Sequence, residues 1–138
     1  MLAETKPQVC MLGLGYIGLP TAAVIARSGC KVMGVDVQQD VVDTINEGRV
    51  HIEELDLEGL VRGVVERGLF TASTMVQPAD VFLIAVPTPF DEEHRPDITY
   101  VLEAATNVAA VLKVGDVIIL ESTSPVGTTE KVRDLIAE

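Results

Sequence analysis

Basic residues, cysteines and long apolar runs are all scarce in this sequence. Ten lysines and arginines stand against 21 aspartates and glutamates, which gives a net charge of −11 at pH 7. A surface of that sign is a poor partner for nucleic acid or an anionic membrane. No apolar run reaches the about 18 residues of a membrane span, and the polar N-terminal residues do not resemble a signal peptide. We therefore expect a cytoplasmic protein with no nucleic-acid or membrane partner.

Cysteine and histidine are too sparse to suggest a metal centre or a disulfide framework. Cys10 and Cys30 have no histidine at metal-ligand spacing, and a reducing compartment does not favour a disulfide. Cys10 falls inside an apolar run and is expected to be a small core residue. His51 lies in a connecting segment, where a single histidine is usually structural. The sequence predicts no metal site, and neither cysteine is expected to be a nucleophile.

A glycine motif follows the first apolar run. Val9 to Leu12 read as a buried strand, and Gly13, Gly15 and Gly18 come next in G-x-G-x-x-G spacing, ahead of an alanine-rich helix pattern. The first glycine can make a tight turn, the second lets a diphosphate approach the backbone, and the third lets helix and strand pack closely. The helix N-terminus then offers free N–H groups to phosphate. A glycine motif alone also fits a turn without a ligand, so its context decides.

The context is a second strand that ends in an acid. Val32 to Val35 form the next apolar run, and Asp36 follows at the spacing of about 20 residues typical of a ribose-binding carboxylate. Strand, glycines, helix, strand and acid in this order predict dinucleotide binding. Asp36 would accept hydrogen bonds from the adenosine ribose and repel a 2′-phosphate, and residues 37–39 supply no arginine to hold one. The predicted cofactor is therefore NAD rather than NADP.

The rest of the chain alternates between helix and strand patterns. We predict a helix from Asp56, its N-cap, to Arg67, and a second helix from Ile98 to Leu112, capped by Asp97 and terminated by Gly115. A further helix is predicted to begin at about Thr129. The predicted strands cover residues 69–74, 81–86 and 117–120. This alternation predicts an α/β fold, a Rossmann-type doubly wound parallel sheet in the order 3-2-1-4-5. Because the last pattern is a helix, the sheet is expected to be truncated after the fifth strand.

Two turns at the predicted carboxyl edge of the sheet carry hydroxyl groups. Pro87-Thr88-Pro89 ends a strand rigidly and would point the Thr88 hydroxyl at a ligand, although a simple strand terminator is the alternative. The segment from Glu121 to Thr129 holds five hydroxyls, whereas a helix N-cap needs one. The excess favours a ligand site there, on the same edge as Gly15.

The sequence resembles the UDP-glucose/GDP-mannose dehydrogenase family in four segments, which occur in the family's order. These segments are residues 13–20, 34–36, 85–89 and 121–128. The resemblance implies oxidation of the C6 alcohol of a UDP-sugar to a carboxylate with two NAD⁺, through a cysteine-bound intermediate. By matching motif, Tyr16 and Ile17 would contact the diphosphate or nicotinamide half of NAD, and Asp36 its adenosine ribose. Thr88 and Thr123 would also contact NAD, and Thr123 would help to place the catalytic water.

The resemblance also implies a division of labour along a longer chain. Residues 1–138 would be the NAD-binding Rossmann domain, an N-terminal fragment of a homo-oligomeric dehydrogenase that is inactive alone, because Cys10 and Cys30 do not match the family's catalytic cysteine. A basic residue often stands five positions after the ribose acid in the family, but Val41 stands there in this chain. Residues 51–52, 87–90, 96–100 and 120–126 most resemble the branch that oxidises UDP-N-acetyl-D-mannosamine, with UDP-N-acetylglucosamine 6-dehydrogenases as close competitors. A non-catalytic nucleotide-sensing module and another β-hydroxyacid-type dehydrogenase remain alternatives.

Overall fold

The computed structural model describes residues 5–137. These residues form five strands and five helices that alternate along most of their length. The elements are β1 (Val9–Leu12), α1 (Gly18–Arg27), β2 (Val32–Val35), α2 (Gln39–Asn46), α3 (Leu57–Glu66), β3 (Phe70–Ser73), β4 (Val81–Ile84), α4 (Thr99–Ala109), β5 (Val117–Leu120) and α5 (Thr128–Ala137). None of these helices is long and apolar enough to cross a membrane.

All five strands form one parallel sheet in the order β3-β2-β1-β4-β5. This is the predicted Rossmann order, so the sequence interpretation of the fold is confirmed. In the register, Val9 of β1 lies beside Val32 of β2 on one side and Val81 of β4 on the other. Strand order reverses between β1 and β4, and open α/β sheets bind their ligands at such a point, beyond the carboxyl ends of the strands.

The central strand β1 is buried on both faces, as expected for a parallel strand covered by helices. Its side chains alternate between two apolar clusters. Met11 belongs to the cluster formed with α1, α2 and α3, whereas Cys10 and Leu12 belong to the cluster that includes α4. Burial raises the pKa of the Cys10 thiol to about 11, against a smaller opposite effect of a backbone hydrogen bond at Gln77. The thiol therefore stays protonated at neutral pH, which agrees with its predicted role as a core residue.

Two helices end at a glycine with a left-handed backbone conformation. Gly48 after α2 and Gly68 after α3 both have positive φ, at 78° and 73°. At each end the glycine N–H and the next N–H reach back to carbonyls of the last turn, as Gly68 N to Val65 O (3.0 Å) and Leu69 N to Val64 O (3.0 Å) show. This is the Schellman arrangement, which satisfies carbonyls that the helix leaves unpaired.

Asp56 occupies the N-cap of α3 as predicted, but its φ is 64° and its side chain makes no capping hydrogen bond. Both predicted ends of α4 need correction. Helix α4 begins at Thr99, and the Asp97 carboxylate still accepts the Thr99 N–H at 2.9 Å. The same helix ends at Ala109 rather than Leu112, because the Asp116 carboxylate accepts the N–H of Lys113 at 2.8 Å and draws that segment into a separate turn. Gly115, predicted to end the helix, lies in that turn.

Candidate functional site

A cavity of about 520 Å³ opens at the carboxyl edge of the sheet, where β1, β4 and β5 end. Four connecting segments form most of its wall: the glycine loop after β1, the acid after β2, and the turns after β4 and β5. The lining residues are Gly13, Leu14, Gly15, Tyr16, Ile17, Asp36, Gln38, Val41, His51, Ala85, Val86, Pro87, Thr88, Glu121, Ser122 and Thr123. All the predicted site residues except Gly18 therefore lie around one cavity.

The three motif glycines differ in what an added side chain would contact at each position. A Cβ on Gly13, whose φ is +99°, would lie 2.5 Å from the carbonyl oxygen of Ala85. A Cβ on Gly18 would lie 1.8 Å from the carbonyl oxygen of Gly13, so this glycine permits the close approach of helix to loop. At Gly15, by contrast, an added Cβ would meet no atom of the described residues within 4 Å beyond its chain neighbours. The fold thus requires Gly13 and Gly18, whereas the space in front of Gly15 is open to a ligand.

Helix α1 begins directly after the glycine loop, and no acidic side chain in its first turn neutralises the positive end of its dipole. Ile17 occupies the N-cap and makes no side-chain capping bond, and the first turn of the helix contains no acid. The Leu19 N–H of the first turn already donates to the Gly15 carbonyl at 3.1 Å, and Pro20 has no N–H, but the helix dipole makes this end positive. Tyr16 and Ile17 are 67% and 60% exposed beside it. The arrangement suits an anionic group such as a diphosphate.

Asp36 reaches the loop from the end of β2 and is half-buried. Its Oδ2 accepts the N–H of Leu14 at 3.1 Å, and its Oδ1 accepts the N–H of Gln38 at 3.0 Å. An ionised carboxylate has about four acceptor positions, so roughly two remain for other donors. A vicinal pair of ribose hydroxyls would match that remaining capacity.

The turns after β4 and β5 are joined by backbone and hydroxyl contacts. The N–H groups of Glu121 and Ser122 both donate to the carbonyl of Ile84, at 2.8 and 3.0 Å. The Ser122 hydroxyl donates to the carbonyl of Val86 at 2.8 Å. These bonds fix Thr88, on one turn, relative to Thr123, on the other. Thr88 is half-buried and Thr123 is exposed at the cavity wall.

The surplus of hydroxyls after β5 has a partly structural explanation that the sequence did not reveal. Ser122 bonds the neighbouring turn, and the buried Thr128 donates to the carbonyl of Pro125 at 2.7 Å at the start of α5. Thr129 faces a different groove, between β5 and α5. Among the described residues, Thr123 is the hydroxyl of this segment that lines the cavity without a hydrogen-bond partner, so one hydroxyl rather than five remains for a ligand.

A second, smaller cavity of about 240 Å³ adjoins the first on the α4 side of the sheet. Both cavities are lined by Gly13, Asp36, Gln38, Val86 and Pro87. The outer wall of the smaller one is the face of α4 formed by Tyr100, Glu103, Ala104 and Asn107. Sequence reasoning missed this wall, although the spacing of these residues, i, i+3, i+4 and i+7, marks one helix face. An extended ligand could cross the sheet edge with Asp36 at the junction.

Comparisons with known proteins identify the family of this chain. The NAD-binding domain model of the UDP-glucose/GDP-mannose dehydrogenase family matches residues 7–138, and the chain belongs to that family. The chain is 55% identical over 130 residues to UDP-N-acetyl-D-mannosamine dehydrogenase of Escherichia coli, and 54% identical over 129 residues to NDP-N-acetyl-D-galactosaminuronic acid dehydrogenase of Ralstonia nicotianae. Each match covers 94% of this chain, but only 31% and 30% of the relatives.

A solved structure shows the same architecture. The UDP-N-acetyl-mannosamine dehydrogenase of Staphylococcus aureus superposes with a TM-score of 0.89 at 38% identity, over 94% of this chain and 32% of that one. NAD is the cofactor of the domain family to which the chain belongs. The chain therefore spans about a third of the length of the proteins that it resembles.

Proposed function

We propose that this chain is the NAD-binding domain of a nucleotide-sugar 6-dehydrogenase, the N-terminal part of a longer enzyme, and that the sugar nucleotide is UDP-N-acetyl-D-mannosamine. The observation that carries the assignment of the cofactor is the open space in front of Gly15, beside the N-terminus of a helix whose first turn has no acid. The names of the relatives support the assignment of the sugar nucleotide.

The residues around the cavity fit NAD in both charge and hydrogen bonding. The glycine loop and the start of α1 would hold the diphosphate, with Tyr16 and Ile17 beside it. Asp36, with about two acceptor positions left, would hold the adenosine ribose. The smaller cavity against α4 offers an apolar space next to Asp36 for the adenine ring. Thr88 and Thr123, on the turns after β4 and β5, would contact the nicotinamide half.

Bound NAD supplies a hydride acceptor. Oxidation of a primary alcohol to a carboxylate removes four electrons, so the proposed reaction consumes two NAD⁺ and one water for each sugar. Thr123 would hold that water through its exposed hydroxyl. The described residues offer no thiol for a covalent intermediate at this cavity, because neither Cys10 nor Cys30 lines it and Cys10 is buried in the core. The fragment alone should therefore bind cofactor without oxidising sugar.

The cytoplasm is the location that we propose for this protein, in agreement with a nucleotide cofactor. The net charge of −11 disfavours nucleic acid and anionic membranes as partners. The full-length protein would be a homo-oligomer.

The identity of the substrate sugar is tested with the enzyme expressed from the complete gene. We expect the highest kcat/KM for UDP-N-acetyl-D-mannosamine among the UDP-sugars. Identities of 55% and 54% do not separate this activity from that of the Ralstonia nicotianae relative, so UDP-N-acetyl-D-galactosamine belongs in the same assay as the main competitor. A preference for that sugar, or for UDP-N-acetylglucosamine, would reject the proposed substrate while keeping the cofactor.

The role of Thr123 is tested in the same enzyme. Loss of one positioned hydrogen bond at the water site should lower kcat about 100-fold in Thr123→Ala. Ser124→Ala is the matched control, because Ser124 does not line the cavity. An unchanged kcat in Thr123→Ala would remove Thr123 from the mechanism.

A further inference from the structure

The cavity at the glycine loop has an unusual balance of charge for a site that receives a diphosphate. Among the described residues that line it, Asp36 and Glu121 carry carboxylates, and there is no lysine or arginine. The one lining side chain that can carry positive charge is His51. Apart from backbone dipoles, the wall therefore offers a dianionic diphosphate two negative charges and a single imidazole.

His51 is held at the cavity by its neighbours in sequence. It lies between α2 and α3, in a segment that follows the glycine-terminated end of α2. Ile52 is only 8% exposed and belongs to the main core cluster, and Val50 is half-buried against the same cluster. The His51 side chain itself is exposed. The backbone is thus anchored on both sides of a residue whose side chain remains free at the cavity wall.

We propose that His51 is a further cofactor-contact residue, whose imidazole donates a hydrogen bond to the diphosphate of NAD; this inference rests on the proposed function. An imidazole has an N–H donor in either protonation state, and an imidazolium also carries a positive charge. The contact offsets part of the repulsion between the diphosphate and the two lining carboxylates. His51, expected from the sequence to be merely structural, then has a direct part in cofactor affinity.

A set of substitutions measures the charge and the shape of this side chain separately. His51→Asn and His51→Gln replace the ionisable imidazole by a neutral amide, whereas His51→Lys supplies a positive charge. His94→Asn is the matched control, because the other histidine of the chain lies outside the cavity and its φ of 60° is one that asparagine tolerates. Circular dichroism and thermal unfolding establish that each variant is folded.

Isothermal titration calorimetry with NAD and with ADP-ribose, which carries the same diphosphate without nicotinamide, gives the affinities. We expect Kd to rise about five- to tenfold in His51→Asn and His51→Gln for both ligands, and to stay within about twofold in His51→Lys and His94→Asn. The difference between the unaltered chain and His51→Asn should shrink as salt is added, because salt screens an exposed charge contact.

The outcomes distinguish this inference from the function on which it rests. If the unaltered chain binds neither NAD nor ADP-ribose, the proposed function fails, and the inference with it. If the unaltered chain binds both ligands and the neutral variants bind them equally well, the inference alone fails. A loss of affinity that is the same at every salt concentration and is shared by His51→Lys would also overturn it, because that result would mean a structural role.

Discussion

The carboxylate of Asp36 holds the glycine loop, because its Oδ2 atom accepts the N–H of Leu14 at 3.1 Å. Leu14 stands between two of the motif glycines, and its side chain is fully buried. The β2 strand makes room for that side chain through Gly34, where a Cβ would lie 2.8 Å from Leu14 Cδ2. The residue proposed to bind the ribose therefore also fixes the loop proposed to bind the diphosphate.

Replacing Asp36 by asparagine should weaken NAD binding and reduce discrimination against NADP. The amide oxygen can still accept the Leu14 N–H, but the charge that binds ribose hydroxyls and repels a 2′-phosphate is lost. We expect the ratio of the Kd values for NADP and NAD to fall about tenfold, the scale of one charge-assisted hydrogen bond. Calorimetry measures both affinities, and Asp40→Asn, at an exposed acid of α2, is the control. An unaltered ratio would remove Asp36 from cofactor selection.

Gly15→Val should abolish NAD binding while leaving the fold intact. A side chain at this position meets no described atom within 4 Å, so it projects into space that the diphosphate would occupy. We expect an unchanged circular dichroism spectrum and no binding heat with NAD. Gly59→Val, at an exposed position of α3 that is equally free of contacts, should bind NAD normally. A folded Gly15→Val that binds NAD with normal affinity would show that the phosphate lies elsewhere.

Gly18→Ala should act in the opposite way, through stability. Its Cβ would lie 1.8 Å from the carbonyl oxygen of Gly13, and the backbone of loop or helix must shift to relieve the clash. Overpacking of this kind costs about 1–3 kcal/mol, or more where backbone is involved. Urea unfolding gives the change in free energy, with Gly63→Ala in α3 as the control, since nothing lies within 4 Å of that position. Equal stability of the two variants would contradict the assigned packing role.

Sequence patterns predicted the parts of this molecule that depend on local information. The glycine spacing, the acid after β2 and the alternation of helix and strand are local signals, and they led to the correct strand order. The early end of α4 was missed because it depends on the Asp116 carboxylate capturing a backbone N–H from a turn. Ser122 was counted among the five hydroxyls that favoured a ligand site; its structural bond to the Val86 carbonyl was missed because it joins two turns that are far apart in sequence. His51 reached the cavity wall through the packing of its neighbours, which no motif records.

The outer edge of β5 predicts that this chain associates with itself. β5 is the last strand in the sheet order, and Val117 and Ile119 are 50% and 45% exposed. An apolar edge strand without lysine or proline offers unpaired backbone groups to another copy. Sedimentation velocity should show a dimer whose fraction rises with protein concentration, and Ile119→Lys should abolish this dimer. Val114→Lys, at an exposed apolar residue outside the strand, should leave the dimer unchanged. A monomer at every concentration would refute the prediction.

Binding of NAD and rejection of NADP at the glycine-loop cavity are tested most directly by calorimetric titration of the 138-residue chain with each cofactor under identical conditions. We predict one NAD per chain and binding of NADP that is at least about tenfold weaker, because the Asp36 carboxylate favours ribose hydroxyls over a 2′-phosphate. Absence of NAD binding to the folded chain, or equal or tighter binding of NADP, would contradict the assignment of this cavity.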